Sequence, residues 1–197
     1  MTIVPIPGWN AQGVIPPINQ LDPTSAERAP YSVSLTDLAL RFGQTPERRE
    51  VLDGFLRYRA ELHAVGLTQG LQWLNGSFLE DVESLETRPP NDIDVVTYYR
   101  LPAGRSQLDL LRQRRDLFPI DRATHLQLKS DYKVDAYLVN LAAVPERLME
   151  RSTYWYSLMS HRRNQLWKGY VQIDLAPAED TTAAAALVTI GNQGAQP

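Results

Sequence analysis

Two short segments constrain this chain more than any others. Residues 91–99 read NDIDVVTYY and residues 133–139 read KVDAYLV, each setting aliphatic residues against acids at every second position. Alternation with period two belongs to a strand with one buried face. In the first segment Ile93 and Val95 turn inward, while Asp92 and Asp94 leave together from the opposite face. In the second, Val134, Ala136 and Leu138 take one side and Lys133 and Asp135 the other. A sheet that pairs the two segments would carry three carboxylates at one place. Like charges brought together repel and ask for a counter-charge.

The surrounding pattern supplies the rest of an α+β domain, a small mixed sheet with helices packed on it. Residues 1–32 hold Pro5, Pro7, Pro16, Pro17, Pro23 and Pro30, which predicts an extended Pro-rich arm without helix. The domain proper is expected over residues 33–176. Ser34, with Asp37 three residues on, predicts a helix ending near Gly43. Thr45-Pro46-Glu47 opens a longer one, in which Val51, Leu52, Phe55, Tyr58, Leu62 and Val65 recur at helical spacing up to Gly66. GLQWLNGSF predicts a strand ending at Asn75-Gly76-Ser77, and residues 105–117 a helix with Leu108, Leu111 and Leu117 inward. Residues 125–139 alternate well enough for a hairpin or strand pair around Ser130-Asp131. Pro145 starts a further helix, Ser152 caps another running to about Gln165, and WKGYVQIDL supplies the last strand. Residues 177–197, rich in Ala, Thr, Gly and Gln, are expected to be a flexible tail.

Composition narrows the chemistry. The 197 residues contain no cysteine, which removes disulfide scaffolds, zinc ribbons and thiol nucleophiles together. A net charge of -3 advertises no global attraction for nucleic acid. The N-terminus lacks a basic leader and no stretch is long and apolar enough for a membrane helix, so a cytoplasmic protein without membrane contact is expected. Asp92 and Asp94 are either a wet polar strand face or a metal-binding pair; Asp135 on a neighbouring strand favours metal. Gly76-Ser77 at a strand end can cradle phosphate oxygens. Lysine is scarce, with only Lys129, Lys133 and Lys168 against 17 arginines. Lys168 is either a triphosphate contact or a surface lysine, and Lys133 either a phosphate contact or an ion-pair partner of the acids. His161-Arg162-Arg163 and Arg112, Arg114 and Arg115 form either a nucleotide or RNA patch or, more commonly for such runs, solvated helix faces. His63, His125 and His161 make no zinc pattern, and Trp73, Trp155 and Trp167 read as core.

The ordered set NGSF, NDIDVV, VDAYLV resembles the DNA polymerase β-like nucleotidyltransferase superfamily in its minimal bacterial form. GVIPP, FGQTPERREVLDGF, QWLNGSF, PNDIDVV and SHRRNQLWKGY further resemble a family of small uncharacterised bacterial proteins assigned to it. The resemblance implies a nucleotidyltransferase fold and Mg²⁺- or Mn²⁺-dependent transfer of a nucleoside monophosphate from an NTP such as ATP to a hydroxyl on protein, RNA or a small molecule. It implies that Gly76 and Ser77 hold the β- and γ-phosphates, that Asp92 and Asp94 bind metal, and that Asp135 completes the metal site and helps deprotonate the attacking hydroxyl. Bacterial relatives of this size imply a toxin–antitoxin or phage-defence setting, with a protein partner encoded nearby. Two alternatives stand beside it: a catalytically inactive nucleotidyltransferase-like binding or antitoxin protein, and a metal-dependent nuclease built on the D-x-K triplet Asp131-Tyr132-Lys133.

Overall fold

The computed structural model describes residues 2–193. Chain without helix, turning at residues 11–14 and 23–26 and bridged antiparallel between Ile18 and Arg28, leads to a two-residue strand β1 (Tyr31–Ser32), followed by α1 (Leu35–Phe42) and α2 (Pro46–Ala64). Both helices start where local chemistry says they should. The Ser34 side chain accepts from the Asp37 amide and that of Thr45 from the Arg48 amide, each satisfying an N–H the helix cannot. Strand β2 (Gly70–Asn75), the short helix α3 (Val82–Glu86) and β3 (Ile93–Tyr99) come next. Helices α4 (Gln107–Gln113) and α5 (Arg122–Tyr132) then lead to β4 (Val134–Asn140), and α6 (Pro145–Met159), β5 (Val171–Asp174) and α7 (Asp180–Gln193) complete the order.

The five strands form one mixed sheet in the order β1-β5-β2-β3-β4. β3 lies antiparallel to β2 and parallel to β4, β5 antiparallel to β2, and β1 parallel to β5. The chain is therefore mixed α+β, as the alternation of patterns predicts. Register places Asp94 beside Asn75 on one side and Asp135 on the other. Period-two alternation then gives the sheet two different faces. Leu74, Val95, Val134 and Ala136 are fully buried on the face that carries α2, where Tyr58 and Phe55 also have no exposed surface. The other face carries Asp94, Asp135, Tyr137 and Trp73, covered by Trp155 of α6, whose ring centroid lies 4.4 Å from that of Tyr137.

Four expectations are corrected. Residues 122–132 are helix, not the first arm of a hairpin: Asp121 caps them by accepting from the Thr124 amide, and Lys133 closes them in the left-handed conformation at φ 55°. Leu126 and Leu128 mimic strand alternation, yet only Leu128 is buried. Ser152 caps nothing, because α6 runs through it unbroken to Met159. Leu108 faces outward, and Leu110 and Leu117 do the packing. Residues 180–193 are an ordered helix and not a tail, with Ala183 and Leu187 buried. Two acids fix its start: Glu179 accepts from the Leu35 amide at 2.6 Å, and Asp180 holds Arg59 of α2 through two hydrogen bonds of 2.8 and 2.9 Å. The remainder of the expected tail, residues 194–197, lies outside the described residues. Among the described residues no helix is long and apolar enough to cross a membrane.

Candidate functional site

The three acids meet at one end of the sheet. Asp92 immediately precedes β3, Asp94 is its second residue and Asp135 the second residue of the parallel β4, so pairing in register brings the carboxylates to one place. One oxygen from each lies within 4.8 Å of the others. Burial, joined by the negative charges of Asp92 and Asp135, pushes the Asp94 carboxyl up to about 6, against the opposing pull of Lys168 and Lys129. Among the described residues no donor hydrogen-bonds Asp94. Asp92 forms an ion pair with Lys129 of α5, and the Asp135 Oδ1 stands 3.5 Å from the Nδ1 of His125. Burial and the Asp135 charge also push the Tyr137 phenol up to about 12, which keeps it a hydroxyl donor at neutral pH. Three crowded, half-buried carboxylates, one of them without a hydrogen-bond donor among the described residues, suit a hard divalent cation.

Beside the acids the chain turns sharply. Gly76 sits at φ 88°, where side chains are strained, and a Cβ there would stand 3.2 Å from the Asp94 carboxylate. Ser77 opens the 3₁₀ turn Ser77–Leu79 that follows. Buried charges brace this turn from behind. Arg48 of α2, almost fully buried, donates to the carbonyls of Phe78 and Glu80 at 2.6 Å and forks onto Glu83 at 2.5 and 2.6 Å. The Glu80 side chain points the other way, accepting from the Lys168 Nζ at 2.5 Å and the Arg162 Nε at 2.8 Å. One carboxylate thus faces two cations, and the surplus positive charge lies at the site wall.

These groups line a cavity of about 940 Å³ that runs from Gly76 and Ser77 across Asp92, Asp94 and Asp135 to the end of α6. Its positive wall consists of Arg88, Lys129, Arg162, Arg163 and Lys168, with His161 among them. A second groove, of about 420 Å³, opens on the far side of Asp135 and shares Lys129, Asp135 and Tyr137 with the first.

The model for a family of unknown function, DUF6932, matches residues 7–174. The chain belongs to that family. Comparison with curated proteins and with solved structures finds no match. The DUF6932 segment holds every residue of the site just described, from the Gly76 turn to Lys168.

Against the sequence-based expectations, the structure brings together Gly76, Ser77, Asp92, Asp94, Asp135 and Lys168 on one cavity. Lys168 is no surface lysine but is about 5% exposed, held there by Glu80. Lys133 is the exception. Its left-handed backbone ends α5 before the strand alternation begins, and its ammonium pairs with Glu50 of α2 at 3.2 Å, outside the cavity. Lys129, four residues earlier on the helix, takes the place beside the acids. The D-x-K triplet separates for the same reason, with Asp131 accepting from Gln127 on the exposed side of α5. Of the arginine groups, Arg162 and Arg163 join the site, whereas Arg114 is held by Glu61 and Asp116. Trp155 is buried and Trp73 partly so, but Trp167 is exposed. Sequence reasoning missed Lys129, Glu80 and Arg48. The i,i+4 spacing of His125 and Lys129 would have found Lys129 had residues 122–132 been read as helix.

Proposed function

We propose that this protein is a metal-dependent nucleotidyltransferase, moving a nucleoside monophosphate from an NTP to a hydroxyl acceptor. The observation that carries the reading is the clustering of Asp92, Asp94 and Asp135 within 4.8 Å at the mouth of a cavity whose next wall is the Gly76-Ser77 turn and a cationic rim. The three aspartates would hold Mg²⁺ or Mn²⁺, which supplies charge neutralisation at the reacting phosphate. Backbone amides and the hydroxyl of the Gly76-Ser77 turn receive the terminal phosphates, with Lys168 and Arg162 as fixed positive charges behind them.

In the transfer, the acceptor hydroxyl oxygen bonds to the α-phosphorus while the bond from that phosphorus to the bridging oxygen breaks. Pyrophosphate leaves with the electron pair. The hydroxyl proton passes toward Asp135, the acid shared by the two grooves, so the smaller groove is the side from which the acceptor approaches. Donor and acceptor then meet across the acids from opposite sides, as an in-line displacement demands.

The test is incubation with labelled NTPs and Mg²⁺ or Mn²⁺ in the presence of cell extract as a source of acceptors. Label transfer or pyrophosphate release is expected from the native chain and not from the double variant Asp92→Ala/Asp94→Ala. Equal signals from both would sink the assignment. NTP binding without turnover would favour a non-catalytic nucleotide-binding protein on the same scaffold.

A further inference from the structure

Asn75 is the last residue of β2, beside Asp94 in register and directly before Gly76. Its side chain is 3% exposed and lines the 940 Å³ cavity. The amide Nδ2 donates to the carbonyl of Met159, at the end of α6, over 2.6 Å. A carbonyl only accepts, so this bond fixes which end of the amide is which. The Oδ1 is left pointing elsewhere, buried and without a hydrogen-bond partner among the described residues. An unmet acceptor of this kind destabilises the folded protein, and a bound donor removes that cost.

The chemistry of the missing donor follows from position. The Oδ1 accepts, so it cannot be meant for phosphate or carboxylate oxygens, which at neutral pH have no proton to give. On the proposed reading, the residues on either side of Asn75 in space, Gly76 and Asp94, face the triphosphate and its counter-ions. The first donors met on leaving the triphosphate of an NTP are the ribose hydroxyls; the amino and ring N–H groups of the base lie a whole sugar further on. We infer that the Asn75 Oδ1 accepts a hydrogen bond from a ribose hydroxyl of the nucleotide, making Asn75 a sugar-specificity residue that favours ribo- over deoxynucleotides. This rests on the nucleotidyltransferase reading and adds to it which sugar the site takes.

The energetics set the size of the effect. A polar group built to pair with a ligand hydroxyl rejects the analogue lacking it more strongly than an apolar pocket discriminates by size, because the buried partner stays unmet. Removing the hydroxyl should weaken binding by about 5- to 150-fold, the range set by leaving one buried acceptor unmet. Asn75→Ala would bind ribo- and deoxynucleotides alike, because the acceptor that separates them is gone.

The experiment is calorimetric titration of the native chain, with Mn²⁺, by ATP, 2′-deoxy-ATP and 3′-deoxy-ATP. Equal binding by the native chain is decisive without a variant, and Asn75→Ala, or the near-isosteric Asn75→Leu should the alanine chain not fold, assigns a native gap to Asn75. ATP binding at least fivefold tighter than one of the deoxy analogues, with the gap closed in Asn75→Ala, is expected. Equal binding of all three overturns the inference while leaving nucleotide binding intact, and means that the Oδ1 is met by water or another donor. Absence of any ATP binding overturns the nucleotidyltransferase reading itself, and this inference with it. A gap that persists unchanged in a folded Asn75→Ala chain assigns the discrimination to another residue and also overturns it.

Discussion

Charge is drawn away from water on both faces of the sheet, fully at Arg59 and partly at Asp94, and the two cases could hardly differ more. On the α2 face, Arg59 has no exposed surface, and its five N–H groups are met by the Asp180 carboxylate, the Gln72 Oε1 and the carbonyls of Asp174 and Ala176. On the α6 face, Asp94 is crowded by Asp92 and Asp135, and no donor among the described residues meets it. A charge with a full set of partners is at rest. A charge whose neighbours repel it is held in place by the fold for a ligand that the fold does not provide. The same sheet thus separates a charge that holds the structure together from one that strains it.

That contrast can be broken experimentally in order of size. Asp94→Asn should lower NMP transfer by about two to three orders of magnitude, the scale on which removal of one electrostatic stabiliser of a transition state acts. Pyrophosphate release measured at saturating NTP and Mn²⁺ checks it. Arg59→Met should instead cost about 3 to 5 kcal/mol of folding stability, because it leaves the Asp180 carboxylate without its main partner. Urea unfolding reads this loss, and the molecules that remain folded should keep their turnover.

The third expectation concerns pH. The folded chain holds the Asp94 proton up to about 6, above the ordinary 3.8, so folding takes up a proton between those values. Metal-free stability should therefore fall as pH rises from about 4 to above 6, by roughly 2 to 3 kcal/mol from this group. Asp94→Asn should flatten the decline, and Mn²⁺ should restore stability above pH 6 in the native chain and not in the variant. Thermal melts across pH, with and without the ion, make the comparison. The smallest effect is expected at Lys129, whose side chain is about half exposed and whose ammonium pairs with Asp92. Lys129→Met should tighten Mn²⁺ binding by about two- to fivefold, the worth of a part-exposed ion pair that the metal no longer has to displace. Electron paramagnetic resonance of bound Mn²⁺ would register it, and unchanged affinity would mean that the lysine does not compete.

What could be read from the sequence divides along the same physical line. Ser34, Thr45 and the alternation around Asp94 act on their immediate neighbours, and the helices and strand they predict are present. The pairing of β3 with β4 was legible because both strands carry an acid in the same phase. Elements fixed by distant partners were not. Helix α7 is poor in large apolar residues, and its anchors, Arg59 and the Leu35 amide, lie more than a hundred positions away. The burial of Lys168 depends on Glu80, 88 residues earlier, and no local pattern announces that pair. Helix α5 shows a different difficulty. Leu126 and Leu128 satisfy a period of two as well as a longer one, and the Asp121 cap decides between them.

The anchoring of α7 also bears on where the folding unit ends. The family match stops at residue 174, the last of β5, yet among the described residues the only carboxylate that meets Arg59 belongs to Asp180. A fragment trimmed to the matched segment would keep every side chain of the acid cluster and the phosphate turn. It would also leave a guanidinium sealed in the core with its charge unanswered, and the Leu35 amide without Glu179 as its acceptor. Such a fragment should express as insoluble or partly unfolded material, and its inactivity would say nothing about the chemistry of the acids. Any search for activity in this family is therefore best made with chains that reach through the last helix.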